Sequence, residues 1–225
     1  QRQMCIRDSL YDTAARAVQT LVPRSEAFSL YVCGITPYDG GHLGHAFTYH
    51  TFDVVTRRLQ SLGHEVRSVR NVTDVDDDIM RVSRERGVPW KELAESVTAD
   101  FDADMAAIDI LPVFAAPRAS DHVLAMIDWI RDLAERGFAY EVEGWVFFEV
   151  AKLSSFGDLS RYDQRTMIQL LRERGGDPDD PRKRGALDFV LWQQSREDEP
   201  SWPGPWSDGR PGWHIECSVL ATTIL

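Results

Sequence analysis

Leu30-Tyr31-Val32-Cys33-Gly34-Ile35 is an apolar run that stops at Thr36-Pro37, and a few residues later His42-Leu43-Gly44-His45 opens a helical pattern. A second strand-like run follows at 64–74, with Val66 and Val69 in a short apolar pattern. Strand, helix and strand of this length make a crossover unit, which forces the two strands to be parallel. The chain is thereby committed to an α/β fold. In such folds ligands gather at the carboxyl ends of the strands. A helix that starts there turns free N–H groups and a positive dipole end toward a phosphate. His42 and His45 are three apart, so they share one helix face and both can reach a polyphosphate. Gly44 has no side chain to keep an adenine off the backbone. Cys33 stands at the end of the strand.

The rest of the chain reads as further elements around that unit. Residues 43–63 form an amphipathic helix with Ala46, Phe52, Val55 and Leu59 facing inward and Gly63 as its stop. Helices are expected at 76–87 and 90–110, divided by Gly87-Val88-Pro89. A proline-containing connector covers 111–120. A strong helix covers 121–136, with Val123, Ile127, Ile130 and Leu133 on one face, Ser120 or Asp121 as cap and Gly137 as end. Strand pairs are expected at 138–150 around Glu143-Gly144, then an irregular insert at 153–184 with one helix at 164–174. Residues 186–192 return to the core, 199–211 read as a Pro/Gly/Trp-rich loop, and Gly212 leads into a last helix. Residues 1–9 fit none of this and read as an artefactual tail, so Cys5 is given no role.

Composition narrows the partners. At 225 residues and 43% hydrophobic, the chain can bury one sizeable core with an inserted subdomain. The net charge is −11, and Arg182-Lys183-Arg184 is the one short basic cluster, which leans away from a nucleic-acid surface. Three cysteines, Cys5, Cys33 and Cys217, are too few and odd in number for a disulfide framework, and point to a reducing, cytoplasmic setting. No apolar run approaches the roughly 18 residues that a membrane span needs. No signal-peptide pattern opens the sequence.

His42-Leu43-Gly44-His45 resembles the HIGH signature of class I aminoacyl-tRNA synthetases. Val32-Cys33-Gly34 and Gly212-Trp213-His214-Ile215-Glu216-Cys217-Ser218 resemble the cysteine-activating branch of that family. The branch holds the cysteinyl-tRNA synthetases and the ligases that join cysteine to glucosaminyl-inositol in mycothiol biosynthesis. Ile35-Thr36-Pro37-Tyr38-Asp39 stands where the synthetases more often have Pro-Thr-Val-Tyr-Asp, and Glu173-Arg174-Gly175-Gly176-Asp177-Pro178 resembles a signature of the ligases. The resemblance runs over residues 30–225.

The resemblance implies a Rossmann-like parallel sheet of class I synthetase type with an inserted connective subdomain. Residues 10–110 would be the first half of the nucleotide fold, 111–185 the insertion, and 186–225 the start of the second half. It implies ATP-dependent activation of L-cysteine to cysteinyl-adenylate and transfer to the 2-amine of glucosaminyl-inositol. Two alternatives stay open: a cysteinyl-tRNA synthetase with tRNA as acceptor, and a paralogue that binds cysteine or adenylate without catalysis. His42 and His45 would be catalytic. Cys33, Gly34, Ile35, Thr36, Thr48, Asn71, Val72, Thr73 and Trp213 match adenylate-binding positions. Cys33 and Cys217 match two zinc ligands, with a third, a histidine, expected beyond residue 225. ATP would arrive with magnesium. The chain is expected to be part of a longer protein and inactive alone.

The chemistry behind the zinc expectation is plain. Cysteine and serine differ by one atom, and a hydrophobic pocket separates such near-isosteres by no more than about 10²-fold. A zinc ion favours a thiolate over a hydroxyl. On spacing alone, two cysteines so far apart make no ligand motif. Asp74, Asp76, Asp77 and Asp78 are read as helix-start acids that answer the dipole, not as a magnesium site. The sequence departs from the branch at Gly40-Gly41, where relatives carry bulkier residues, and at Gly185-Ala186-Leu187-Asp188, which lacks the usual proline.

Overall fold

The computed structural model describes residues 8–23 and 25–225. Cys5 lies outside the described residues. A hairpin comes first, β1 (Ser9–Asp12) paired antiparallel with β2 (Ala17–Thr20). The expected tail reached Ser9, but Ser9 pairs with Thr20, and the Asp8 carboxylate meets Arg58 at 3.1 Å. Asp8 and Ser9, the last two residues of that expected tail, thus have partners in the fold.

β3 (Ala27–Ile35), α1 (Leu43–Ser61) and β4 (Glu65–Val72) form the expected crossover, with β3 and β4 parallel. The connector runs beside β4 as a third parallel ribbon, bridged at Val69–Ala115 and Val72–Arg118. The Pro117 carbonyl accepts from the Val72 N–H at 2.8 Å. Pro112 and Pro117 lack N–H donors, which keeps this edge from becoming a full strand.

The inward face of α1 differs from the expected one. Tyr49, Asp53, Thr56 and Leu59 are buried, whereas Phe52 is 36% exposed. The cause is Asp53, whose carboxylate accepts from the Leu111 N–H at 3.0 Å and from Arg57 Nε at 2.6 Å. A buried acid that ties the helix to the connector takes the core position that a purely apolar count gives to phenylalanine.

α2 (Asp77–Arg86) starts at the Asp76 cap, whose side chain accepts from the Asp78 N–H, and ends at Gly87 with φ +64°. That left-handed cap suits glycine. α3 (Trp90–Ala107) packs on α2 through Ile79, Leu93, Ala94 and Val97, and on β3 and α1 through Phe101 and Met105. α4 (Val123–Glu135) buries Val123, Met126, Ile127 and Ile130, with Leu133 partly buried beside them.

β5 (Ala139–Val142) and β6 (Trp145–Phe148) join through Glu143 and Gly144, both at positive φ, as a tight hairpin demands. α5 (Gln164–Glu173) is the expected short helix of the insert. β7 (Phe189–Gln194), β8 (Trp202–Pro203) and β9 (Asp208–Pro211) then complete an antiparallel sheet in the order β5-β6-β7-β9-β8. Two expectations change here. Residues 199–211 hold two short strands, not a loop alone. The boundary drawn after residue 185 falls inside one structural unit, because β7 hydrogen-bonds to β6 from the other side of it.

α6 (Trp213–Ile224) closes the fold. Ile215 and Val219 join the core built by α4 and the antiparallel sheet, around Trp192 and Leu191. Among the described residues no helix is long and apolar enough to cross a membrane.

Candidate active site

The site grows from a defect in β3. Its pairing with β4 slips between Val32 and Ile35, so Cys33 and Gly34 bulge from the ladder at the carboxyl end of the sheet. Gly34 is obligatory there: a Cβ would lie 1.5 Å from the Asn71 carbonyl oxygen. The Gly34 N–H donates instead to Asn71 Oδ1 at 2.7 Å. Ile35 and Val72 pair in register, and the Thr73 N–H donates to the Ile35 carbonyl at 2.9 Å. The Tyr49 hydroxyl, from α1, donates to the Cys33 carbonyl at 3.1 Å. Burial pushes the Tyr49 phenol up to about 12, so it remains a donor.

α6 brings the other half. Its cap, Gly212, is packed so closely on β7 that a Cβ would lie 2.2 Å from the Val190 carbonyl oxygen. The helix therefore starts at a fixed height, and Cys217 in its early turns meets Cys33 with sulfurs 3.6 Å apart. That is too long for a disulfide at about 2.05 Å. Two sulfurs on one tetrahedral zinc, each at about 2.3 Å, stand about 3.8 Å from each other. The donor pair therefore fits a thiophilic cation. Among the described residues no group of three or more His, Cys, Asp or Glu side chains joins there, so these residues would supply two ligands to such a cation. Without a cation, burial pushes the Cys217 thiol up to about 12.

Glu216 lies inside the motif at 212–218, which by itself marks no role for it. It is 2% exposed and accepts from Asn71 Nδ2 at 2.6 Å and from the Thr73 hydroxyl at 2.8 Å. Burial raises its carboxyl to about 7, against the lowering effect of the two hydrogen bonds. The one signal in the sequence was an acid lodged between an isoleucine and a cysteine.

His42 and His45 meet at the start of α1. His42 is the helix cap, and its Nδ1 accepts from the His45 N–H at 3.2 Å. The two rings stack with centroids 3.8 Å apart and planes 12° from parallel. Gly44 makes room for this, since a Cβ would sit 2.9 Å from the His42 ring. Burial, then the neighbouring His42, lower the His45 pKa. His45 Nδ1 is buried without a hydrogen-bond partner. The remaining N–H groups of the first turn face no acidic side chain of their own helix.

The other expected positions are placed as follows. Thr36 is partly buried just past β3, and its carbonyl accepts from the Tyr38 N–H at 2.9 Å. Thr48 is exposed one turn into α1, where its hydroxyl donates to the Gly44 carbonyl at 3.0 Å. Trp213 is 57% exposed at the start of α6, tilted against His214. The segment 173–178 is the exit of α5: Gly175 has φ +81°, and the Gly176 N–H donates back to the Leu171 carbonyl at 2.9 Å. Of the acids after β4, Asp76, Asp77 and Asp78 stand at the start of α2, and Asp74 lies before it. Asp74 accepts from the Ser120 N–H and hydroxyl, Asp76 caps α2, Asp77 pairs with Arg210, and Asp78 pairs with Arg81.

Comparison with known proteins decides the family. Residues 20–225 match the tRNA synthetases class I (C) catalytic domain. The chain belongs to this family. It is 47% identical over 220 residues to the L-cysteine:1D-myo-inositol 2-amino-2-deoxy-alpha-D-glucopyranoside ligase of Nocardia farcinica, covering 96% of this chain and 53% of that protein. The ligase of the same name from Mycolicibacterium smegmatis is 45% identical over 218 residues, 95% of this chain and 53% of that protein. The chain thus spans about half the length of these relatives. Among solved structures, methionyl-tRNA synthetase from Mycobacterium tuberculosis in complex with methionyl-adenylate superposes with a TM-score of 0.62 at 16% identity, over 87% of this chain and 46% of that one. The fold is the α/β fold of the class I synthetases.

Proposed function

We propose that this chain carries the site at which L-cysteine and ATP form cysteinyl-adenylate, the first step in joining cysteine to glucosaminyl-inositol. The observation that carries the proposal is the pair of thiols at 3.6 Å, set at the carboxyl end of a class I sheet beside a histidine-capped helix. The name shared by the relatives supports the choice of acceptor.

A free carboxylate is a poor acyl donor. In the first step an oxygen of the cysteine carboxylate attacks the α-phosphorus of ATP, and pyrophosphate leaves with its magnesium. His42, His45 and the N–H groups of α1 hold phosphate oxygens as charge builds on them. Thr36 lies close after Cys33 in the chain and can accept or donate at the substrate amine. By resemblance, Asn71, Val72, Thr73, Thr48 and Trp213 would border the adenylate. In the second step the 2-amine of glucosaminyl-inositol attacks the activated carbonyl carbon, AMP leaves, and an amide forms. Zinc held by Cys33 and Cys217 would select the substrate's thiolate over the hydroxyl of serine. The unjoined thiols accord with work in a reducing cytoplasm. The segment Glu173 to Pro178 sits outside this constellation as the exit of a helix, and its link to the acceptor rests on resemblance.

The test is an acceptor assay on the protein that carries this chain, given cysteine, ATP and magnesium. AMP release with an amide product is expected with glucosaminyl-inositol and not with tRNA. Charging of tRNA instead would overturn the acceptor and leave cysteine activation standing.

A further inference from the structure

Cys33 and Cys217 come from a strand and a helix that are 184 residues apart in sequence, yet their sulfurs are 3.6 Å apart. Their thiols are joined by no covalent bond, so something else must hold the two backbones in register. The residue after Cys33 and the residue before Cys217 are joined through one amide. The Gly34 N–H donates to Asn71 Oδ1 at 2.7 Å, and Asn71 Nδ2 donates to Glu216 Oε1 at 2.6 Å. The same Oε1 accepts from the Thr73 hydroxyl at 2.8 Å. All three side chains, Asn71, Thr73 and Glu216, are nine-tenths or more buried. Glu216 Oε1 is the acceptor in both bonds, so it faces the NH₂ end of Asn71. This fixes the amide's orientation and leaves its oxygen for Gly34.

We propose that Glu216 is a positioning residue that sets the spacing of the Cys33–Cys217 pair. It would touch neither cation nor substrate, and it acts by clamping the β3 bulge to the first turn of α6 through Asn71. This role rests on the reading of the pair as a site for a thiophilic cation. Buried hydrogen bonds behind metal ligands are typically worth about 10- to 100-fold in metal affinity.

Two probes read the pair without enzymatic turnover. Cobalt(II) bound by both thiolates gives a sulfur-to-cobalt charge-transfer band. Phenylarsine oxide condenses with two neighbouring thiols, forming two As–S bonds and releasing one water. Both are titrated into the whole chain in a Cys5→Ser background, with the melting temperature followed in parallel. Glu216→Leu, which keeps bulk and removes the acceptor, is expected to weaken both probes by about 10- to 100-fold. Glu216→Gln keeps an acceptor oxygen for both donors and is expected to restore binding to within a few-fold of wild type. Thr73→Val removes one donor at constant shape and is expected to give an intermediate loss; it carries the test if Glu216→Leu fails to fold. Wild-type affinity in folded Glu216→Leu, or in Thr73→Val where Glu216→Leu does not fold, overturns the positioning role alone. So does a Glu216→Gln as weak as Glu216→Leu. A parent chain that takes neither probe, with Cys33→Ser and Cys217→Ser no different, overturns the thiol-pair reading itself and the positioning role with it.

Discussion

At the scale of the residue, environment separates groups that the sequence presents as alike. His42 and His45 look equivalent in the motif, but one caps the helix and the other is partly buried beneath it with an unpartnered Nδ1. Two imidazoles stacked at 3.8 Å cannot both carry charge cheaply, and this adds to burial in lowering the His45 pKa. His45→Ala is expected to slow cysteine-dependent ATP–pyrophosphate exchange by about 10²- to 10³-fold, the usual effect of losing one charge-stabilising donor. The four aspartates after β4 divide in the same way. Asp74 is buried, and burial raises its pKa above the ordinary 3.8 although Ser120 donates to it twice. Between 3.8 and that raised value the folded state binds more protons than the unfolded one, so its contribution to stability falls as pH rises through the window. An asparagine in its place would keep both bonds to Ser120 without the charge. The stability of Asp74→Asn relative to wild type should therefore increase from pH about 4 toward neutrality, and a pH series of urea melts checks it.

At the scale of the element, close backbone approach is what shapes the site. β3 could run straight through Cys33, but the glycine after it lets Asn71 come near enough to bend the ladder. With a Cβ 1.5 Å from the Asn71 carbonyl oxygen, Gly34→Ala cannot be absorbed by rotating a side chain. It is expected to lower stability by about 3 kcal/mol and to separate the two thiols. Loss of phenylarsine oxide capture at a temperature where the variant remains folded would show the second effect. Gly212 does the same for α6 against β7. These glycines were visible in the sequence, but glycine has several uses. Which use applied depended on what another element laid against it.

At the scale of the whole molecule, α6 and an ion network centred on the buried Arg210–Glu199 pair lock the parallel and antiparallel parts together. Arg210 of β9 is 3% exposed and pairs with Glu199 at 3.2 Å and with Asp77 of α2. Glu199 also receives Arg84 of α2 at 2.7 Å. Arg210→Met leaves the buried Glu199 carboxylate with Arg84, so it is expected to cost less than a fully unpaired buried charge, about 1–3 kcal/mol in chemical denaturation. Arg210→Met with Glu199→Gln should cost less than the sum of the two single changes, since the pair they share is lost only once. This network explains why 199–211 is ordered into β8 and β9 although its composition reads as a loop. Proline, glycine and tryptophan give no alternation, and the strands form because β7 supplies hydrogen-bond partners and Arg210 a buried anchor.

The sequence by itself determined the crossover unit, the helix that opens at the two histidines, the face of α4 and the membership of a cysteine-activating branch. Those properties are local: hydrophobic period, caps and short motifs act within a turn or a strand of themselves. It also held both cysteines, but spacing along the chain carries no information about distance in space across 184 residues. Resemblance paired Cys33 with Cys217, but only the tertiary structure decided how closely they meet, that Asp53 displaces Phe52 from the core, that the insert and the following strands share one sheet, and that Glu216 stands behind the thiols. Each of these is a pairing between distant segments. A buried polar group chooses its place by the partner it finds, and that partner exists only once the chain has folded.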